Sequence, residues 1–411
     1  MSSVGLSLFF TAMVAAEDWP QWRGPQRDGQ AAWRAPAIWP AELKQVWKVE
    51  VGAGHATPAV VGERVYVHSR QGDEETVRCL NLADGSELWS KRYPVPYKPD
   101  SAAEPHGLGP KSSPTVADGR LFTVSITGIP AAWDIKNGQR LWQLDVERDF
   151  NPTYPQFGAS MSPLVHGESL IVDVGGAEGG MLAALDVASG RIRWRYKHAD
   201  GPAYASPIAA TLQGVKQYVT QTRGHMVSVS TAGKLLWSVP FETQYEQNSV
   251  TVLPMGELLI CGGYQRSLLA LRPRQQGSTW SVETAWENDG LPLYMSSPVA
   301  LDGRIYAMSQ RDSGRLVSLD PKSGKRLWSG KPRFGENASL VVAGKLLLTL
   351  NDEAQFVAFG QQRNEMVEVA RYQVSASPTW AHLVPVEGGL LVKDETEIAR
   401  WSLATSAKPR D

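Results

Sequence analysis

Four arginines, Arg70, Arg223, Arg266 and Arg311, each stand where a short apolar run breaks. A guanidinium is a planar fork of N–H donors that matches carboxylates and phosphates, so the chemistry on offer is anion recognition. His225 (in TRGHM) and Gln265 lie in the same kind of break. A second set, His55 (in GAGHATP), His106, Lys111, Tyr204, Asn248, Tyr294, Met295, Ser296 and Asn337, stands just ahead of the apolar runs. Acidic residues answer them late in the chain, at Asp352, Glu353, Asp394 and Glu395. Brought onto one surface, these groups predict a bipolar face, basic over one part and acidic over another, that takes an anionic or extended partner.

Other chemistries lack their spacing. The 7 histidines are scattered, and none forms the His-x-x-x-His of a metal helix, so no metal site is expected. Serines followed by proline, as at Ser113, Ser162, Ser206 and Ser297, open apolar runs and are not nucleophiles in a Gly-x-Ser-x-Gly elbow. The glycine-rich GGAEGG (175–180) joins two strand-like runs and opens no helix, which argues against a phosphate loop. Lys+Arg 41 against Asp+Glu 42 leaves no global basic field for nucleic acid. The 2 cysteines, Cys79 and Cys261, make neither a disulfide framework, a four-cysteine metal site nor a Cys-x-x-Cys-His haem site.

The elements that must position the candidate residues are repeats. ALDVASGRIRW (184–194) recurs as SLDPKSGKRLW (318–328), AWDIKNGQRLW (132–142), CLNLADGSELW (79–89) and, one residue shorter, SVSTAGKLLW (228–237). A looser copy starts at Ala270 and reaches Trp286 after an insertion. Each copy reads as strand, glycine turn and second strand carrying a large aromatic, that is, a hairpin. Each hairpin is preceded by a small-residue strand, often beginning Ser-Pro or Thr-Pro, a turn such as VADGR (116–120) or ALDGR (300–304), and a β-rich run such as RVYVHS (64–69). Four strands per forty to fifty residues is the period of a propeller blade.

Eight units begin near His55, Ser112, Ser160, Tyr204, Asn248, Ser296, Asn337 and Ser375. The last ends at Leu403, one strand short, and the orphan run LKQVWKVEV (43–51) can supply the missing strand. The expectation is an all-β eight-bladed propeller over 43–403, closed by its N-terminal strand. Residues 1–16 read as a signal peptide with no cysteine after it for a lipid anchor, and too short to span a bilayer. Residues 17–42 form a Trp/Pro/Gly-rich arm, and 404–411 a polar tail. Export to the periplasm or beyond follows. Trp47, Trp89, Trp142, Trp194, Trp237, Trp286 and Trp328 are expected to dock between blades, with the N–H of each seeking an acceptor. In a ring of this strand order the entering loops and the loops between second and third strands share one face, where the candidate residues collect.

The pattern Ala-x-Asp-x-x-Thr/Ser-Gly-x-x-x-Trp resembles the tryptophan-docking repeat of the quinoprotein alcohol dehydrogenase-like, or pyrroloquinoline-quinone-like (PQQ-like), β-propellers. That class includes the BamB-like lipoprotein of the outer-membrane barrel-assembly machinery. DWPQWRGPQRDG (18–29), GPKSSPTVADGRLF (109–122) and SPLVHGESLIVDVGG (162–176) look closest to its secreted members. The resemblance implies the fold over 18–403. In the enzymes of the class it also implies PQQ between a Trp floor and a disulfide of adjacent cysteines, with calcium on acidic and amide side chains. This chain has no adjacent cysteines. Two readings therefore stand: an exported, non-catalytic scaffold that binds a protein, a peptide or a small anionic partner in the cell envelope without a cofactor, and an oxidoreductase using PQQ with calcium at the channel mouth.

Overall fold

The computed structural model describes residues 18–144, 153–176, 179–363 and 365–404. The second strand of a blade, such as Arg64–Gln71, is buried along nearly its whole length, because a blade is covered by a neighbour on each side. Outer strands such as Ile192–His198 bury alternate residues, with one flank toward solvent. Tight turns set the register. In ALDGR, Asp302 and Gly303 have φ of 46° and 72°, a two-residue hairpin turn that places Leu301 opposite Arg304.

These hairpins build eight antiparallel sheets in a ring, an all-β eight-bladed propeller. Blade one comprises Ala59–Val61, Arg64–Gln71, Glu74–Asn81 and Glu87–Pro94. Blade eight has Val384–Val386, Gly389–Lys393 and Glu397–Ser402, and takes its outer strand from Lys44–Glu50, with Lys44 opposite Ser402 and Glu50 opposite Glu397. The orphan run therefore closes the ring as its pattern demands.

The tryptophans explain how blades hold each other. Trp89 of blade one is 9% exposed, donates its Nε1 to the carbonyl of Ile135 in blade two (3.1 Å) and lies on Gly138. A Cβ at Gly138 would stand 2.5 Å from the Trp89 ring, and its φ of 70° already favours glycine. The contact recurs for Trp47 on Gly85, Trp142 on Gly190, Trp194 on Gly233 and Trp286 on Gly324. Each of these donates to a carbonyl of the next blade, at Leu82, Val187, Thr231 and Pro321 respectively. Trp237 departs. The next blade's hairpin is the long pair Arg266–Gln276 and Thr279–Asn288, and Trp237 donates instead to Gln217 of its own blade (2.9 Å). Trp328 is only half-buried, and in blade seven the docking position is taken by Ala370, opposite Ala358, while Tyr372 two residues on stacks on Phe356. A cleft of about 340 Å³ opens between blades seven and eight, lined in part by Lys48, Ser375 and Trp401.

Around the axis, inner strands are tied hydroxyl to amide. His382 N–H donates to Thr57, Thr57 N–H to Ser113, Ser113 N–H to Ser162 and Ser162 N–H to Ser206, all at 2.8–3.0 Å. Thr251 N–H donates to Ser297 and Leu383 N–H to Ser339 on the far side. The Ser-Pro serines are thus structural acceptors of this girdle.

The arm reaches the axis. Trp19 bridges Val60, the amide of Val116 donates to Pro20, and Gln30–Ala31 pairs in parallel with Ala338–Ala343 of blade seven. Trp22 stacks on His382 with ring centroids 4.0 Å apart and donates to Thr251 across the channel (2.9 Å). The arm touches the inner strands near their turns to the second strands, so it closes that end of the channel. We expect Trp89→Ala to cost about 3–5 kcal/mol, the range for a buried large aromatic, and Trp328→Ala distinctly less, read as urea midpoints at unchanged slope.

Candidate binding face

The entering segments pair with the ends of second strands through the bridges Ala53 to Arg70, Pro202 to Thr222 and Leu293 to Ser309. Both loop sets therefore share the end of the ring opposite the arm.

Many of the polar groups gathered there are committed within their own loops. Arg70 is 4% exposed and donates to Gly72 and Val95 carbonyls. Asn248 is fully buried, its amide donating to Thr222, Arg223 and Phe241 carbonyls. Asn337 accepts from Ser296, and its own N–H donates to Asp352. Arg223 pairs with Glu246, and Arg266 approaches Glu287 (3.8 Å) while lying over the Phe241 ring. The amide of Gln265 donates to Gln310. Arg311 is exposed in a short 3-10 turn. Asp352 caps the amides of Glu336 and Asn337, and Asp394 those of Thr396 and Glu397, while Glu353 and Glu395 are exposed.

What remains presented is aromatic. His55, Trp380, Tyr294, Tyr264 and Tyr245 follow one another with centroid separations of 6.4, 6.5, 5.2 and 6.1 Å, contributed by the entry or joining loops of several blades. On the other side His106, Phe157 and Tyr204 stand 5.1 and 6.1 Å apart. All are largely buried with one edge exposed except Tyr245, which is 67% exposed. Rings meeting mostly edge to face or tilted, with only Tyr245 and Tyr264 stacked, form a contact surface for flat or apolar groups.

The cations at the mouth are partly desolvated, while Glu353 and Glu395 on the same face are exposed. Lys111 Nζ donates to the Phe157 carbonyl (2.7 Å), and burial pulls its ammonium down to about 8. Lys393 is buried and donates to the carbonyls of Gly54, Asp394 and Glu395, tying the entry of blade one to a loop of blade eight. Burial, with the charges of Lys393 and Lys111 adding to it, brings His55 down to about 4, so it is neutral at physiological pH. Over blades three and four a relay runs outward. Asp173 meets His198 Nε2 (2.8 Å), His198 Nδ1 meets Asp200 (3.3 Å), and Asp200 meets His225 Nδ1 (3.1 Å). Burial alone would lower His198, yet Asp173 and Asp200 together outweigh it and raise the imidazolium to about 10.

The two cysteines do not meet. Cys79 and Cys261 are buried, unbonded and in blades one and five. Among the described residues no group of three or more His, Cys, Asp or Glu side chains is gathered to hold a metal. Of the glycine-rich run, Gly175 faces Gly180 and Gly176 faces Gly179 on adjacent antiparallel strands, and its central two residues lie outside the described residues.

Sequence reasoning named Tyr294, His55, His106 and Tyr204 but passed over Trp380, Phe157, Tyr264 and Tyr245. A signal for Trp380 was available: it follows Ser377-Pro378-Thr379 at the entry of a blade whose repeat is otherwise degenerate. Trp22 lay in an arm without periodicity, and nothing local placed it on the axis.

The model of a family described as outer membrane protein assembly factor BamB matches residues 25–211 and 178–409. The outer membrane protein assembly factor BamB of Yersinia pestis is 27% identical over 237 residues, 56% of this chain and 58% of that protein. The polyvinylalcohol dehydrogenase of Sphingopyxis sp. (strain 113P3) is 25% identical over 359 residues, 78% of this chain and 51% of that one. The chain thus spans little more than half the length of either. The crystal structure of BamB from Moraxella catarrhalis superposes with a TM-score of 0.62 at 16% identity, covering 88% of this chain and 98% of that one.

His198 gives a pH signature. A pKa raised from 6.5 to about 10 on folding contributes stability fully present below 6.5 and lost as pH rises through about 10. Replacing it as His198→Asn should flatten the fall in unfolding free energy between pH 6.5 and 10 relative to the unsubstituted protein, measured by denaturant titration at each pH; identical profiles would contradict it.

Proposed function

The chain belongs to the BamB family of PQQ-like propellers, and from that premise we propose that it is a non-catalytic binding scaffold. It holds an extended segment of a protein partner across the aromatic mouth. The observation that carries this reading is the set of partly exposed rings around a channel closed at its opposite end by the arm. Such a surface is suited to being covered by a partner. The relatives named as outer membrane assembly factors favour a partner and a setting in the cell envelope. Residues 1–16, which read as a signal peptide and lie outside the described residues, agree with export. No described helix is long and apolar enough to cross a membrane.

In this reading Tyr264, Tyr294 and Trp380 are the anchors. Arg223, Arg266 and Arg311 stand at the rim, where charges steer and orient more than they hold. Lys111 and His225 add a cationic donor and an imidazole for carboxylates or carbonyls of the bound segment. The test is to place a photo-crosslinking residue at Tyr294, identify the captured envelope protein, and measure its affinity with purified components. Tyr264→Ala combined with Trp380→Ala should weaken binding by about tenfold to a hundredfold, the loss expected for interface aromatics. Substituting the three rim arginines should change mainly the association rate and its salt dependence. The oxidoreductase reading, favoured by likeness to a polyvinylalcohol dehydrogenase, predicts instead a cofactor absorbance and dye reduction with alcohols after reconstitution with PQQ and calcium. That outcome would overturn the scaffold.

A further inference from the structure

Two arginines of the arm have no part in the binding face. Arg23 and Arg27 are 2% and 3% exposed, and both hold a left-handed backbone, with φ of 61° and 60°. Non-glycine residues adopt that conformation at a cost, so surrounding contacts must hold them there. Those contacts aim the two side chains at opposite walls of the channel. Arg23 Nη2 donates to Pro298 O in blade six (2.6 Å) and to Asp28 O (3.3 Å). Arg27 donates to Ser162 O and Pro163 O in blade three (2.8 and 2.9 Å) and to Gln21 Oε1 (3.1 Å).

Every one of these acceptors is neutral. The acid nearest in sequence, Asp28, spends a carboxylate oxygen on the Gln30 amide (3.0 Å). Three N–H groups are left over: Arg23 Nε, Arg23 Nη1 and Arg27 Nε are buried without an acceptor among the described residues. His382 Nδ1, at the girdle position where the other blades place serine or threonine, is buried and unpartnered as well. The groups feel one another. Burial, then the charge of Arg23, brings Arg27 down to about 9, and the same two causes in the same order bring His382 down to about 3. Burial lowers Arg23 itself to about 10, with Asp28 opposing.

Two buried like charges held by carbonyls alone are an unbalanced arrangement, and unfilled donors add to its cost. We propose that the closed end of the channel is an anion site in which Arg23 and Arg27, beside His382, bind one small inorganic anion that locks the arm into the ring. Halides and small oxyanions share the required chemistry, acceptance of charged N–H donors without a directional covalent demand. The site is independent of whatever partner covers the aromatic mouth.

Bromide is the probe. Crystals of the full chain grown in sodium bromide should give an anomalous peak within hydrogen-bonding distance of Arg23 and Arg27 nitrogens; peaks confined to the outer surface would overturn the proposal. In solution the melting temperature should rise saturably with bromide or chloride, and not with gluconate at equal ionic strength. Inorganic phosphate, run in parallel, distinguishes an oxyanion site from a halide site. The conservative Arg27→Lys retains charge but loses the fork, and should weaken the apparent halide affinity by about tenfold. An unchanged halide response in that variant would place the ion elsewhere and sink the assignment.

Discussion

Everything in this molecule hangs on one repeated contact, an indole ring laid flat on the glycine turn of the next blade with its N–H bonded to a carbonyl there. Among the described residues neighbouring blades share no main-chain ladder from sheet to sheet, only isolated amide bonds such as those of His55 and Ala56 to the Pro110 carbonyl, so the faces between blades are joined by side chains. The indole suits this, supplying a large apolar face and one donor that needs a partner when buried. Glycine serves twice at the same residue: it makes the turn, and it leaves the space a Cβ would take. At the closure Trp47 meets Gly85 as Trp89 meets Gly138, so the seam between the last and first blades uses the bond of ordinary junctions.

The axis solves a different problem. Eight inner strands converge with backbone amides that cannot be left bare. Serine and threonine hydroxyls of one blade accept the amides of the preceding one, and at Thr251 the hydroxyl accepts Trp22 from the arm. The girdle and the arm together close one end of the channel. They leave the loops of the other end free of that duty.

Much of this architecture was legible because it is periodic. Trp, Gly and Ser-Pro recur at spacings that name the blade, its turn and its inner strand, and the orphan run around Trp47 declared its destination through the gap after Leu403. What repeats cannot announce is position in three dimensions. Asn248 and Arg70 read as binding groups from their loop context, yet carbonyls of their own loops surround them. Tyr264 sits in a loop with no periodicity and Trp380 in a blade whose repeat is degenerate, and their adjacency to Tyr294 arises only when the ring brings several blades together. The service of the Ser-Pro serines as acceptors needed the neighbouring blade in view.

The two kinds of aromatic in this chain separate fold from function. Trp89 and Trp47 are nearly buried, and each has its N–H spent on a carbonyl; the fold accounts for them completely. Trp380, Tyr264, Tyr294 and Tyr204 are partly exposed, cluster with one another or with His55 and Phe157, and none lies on the glycine turn of a neighbouring blade. With the perimeter held by indoles and the axis by hydroxyls, stability makes no demand for those rings. Their arrangement around one mouth suits a partner's flat or apolar side chains, and that difference in duty is the physical basis on which we propose binding there.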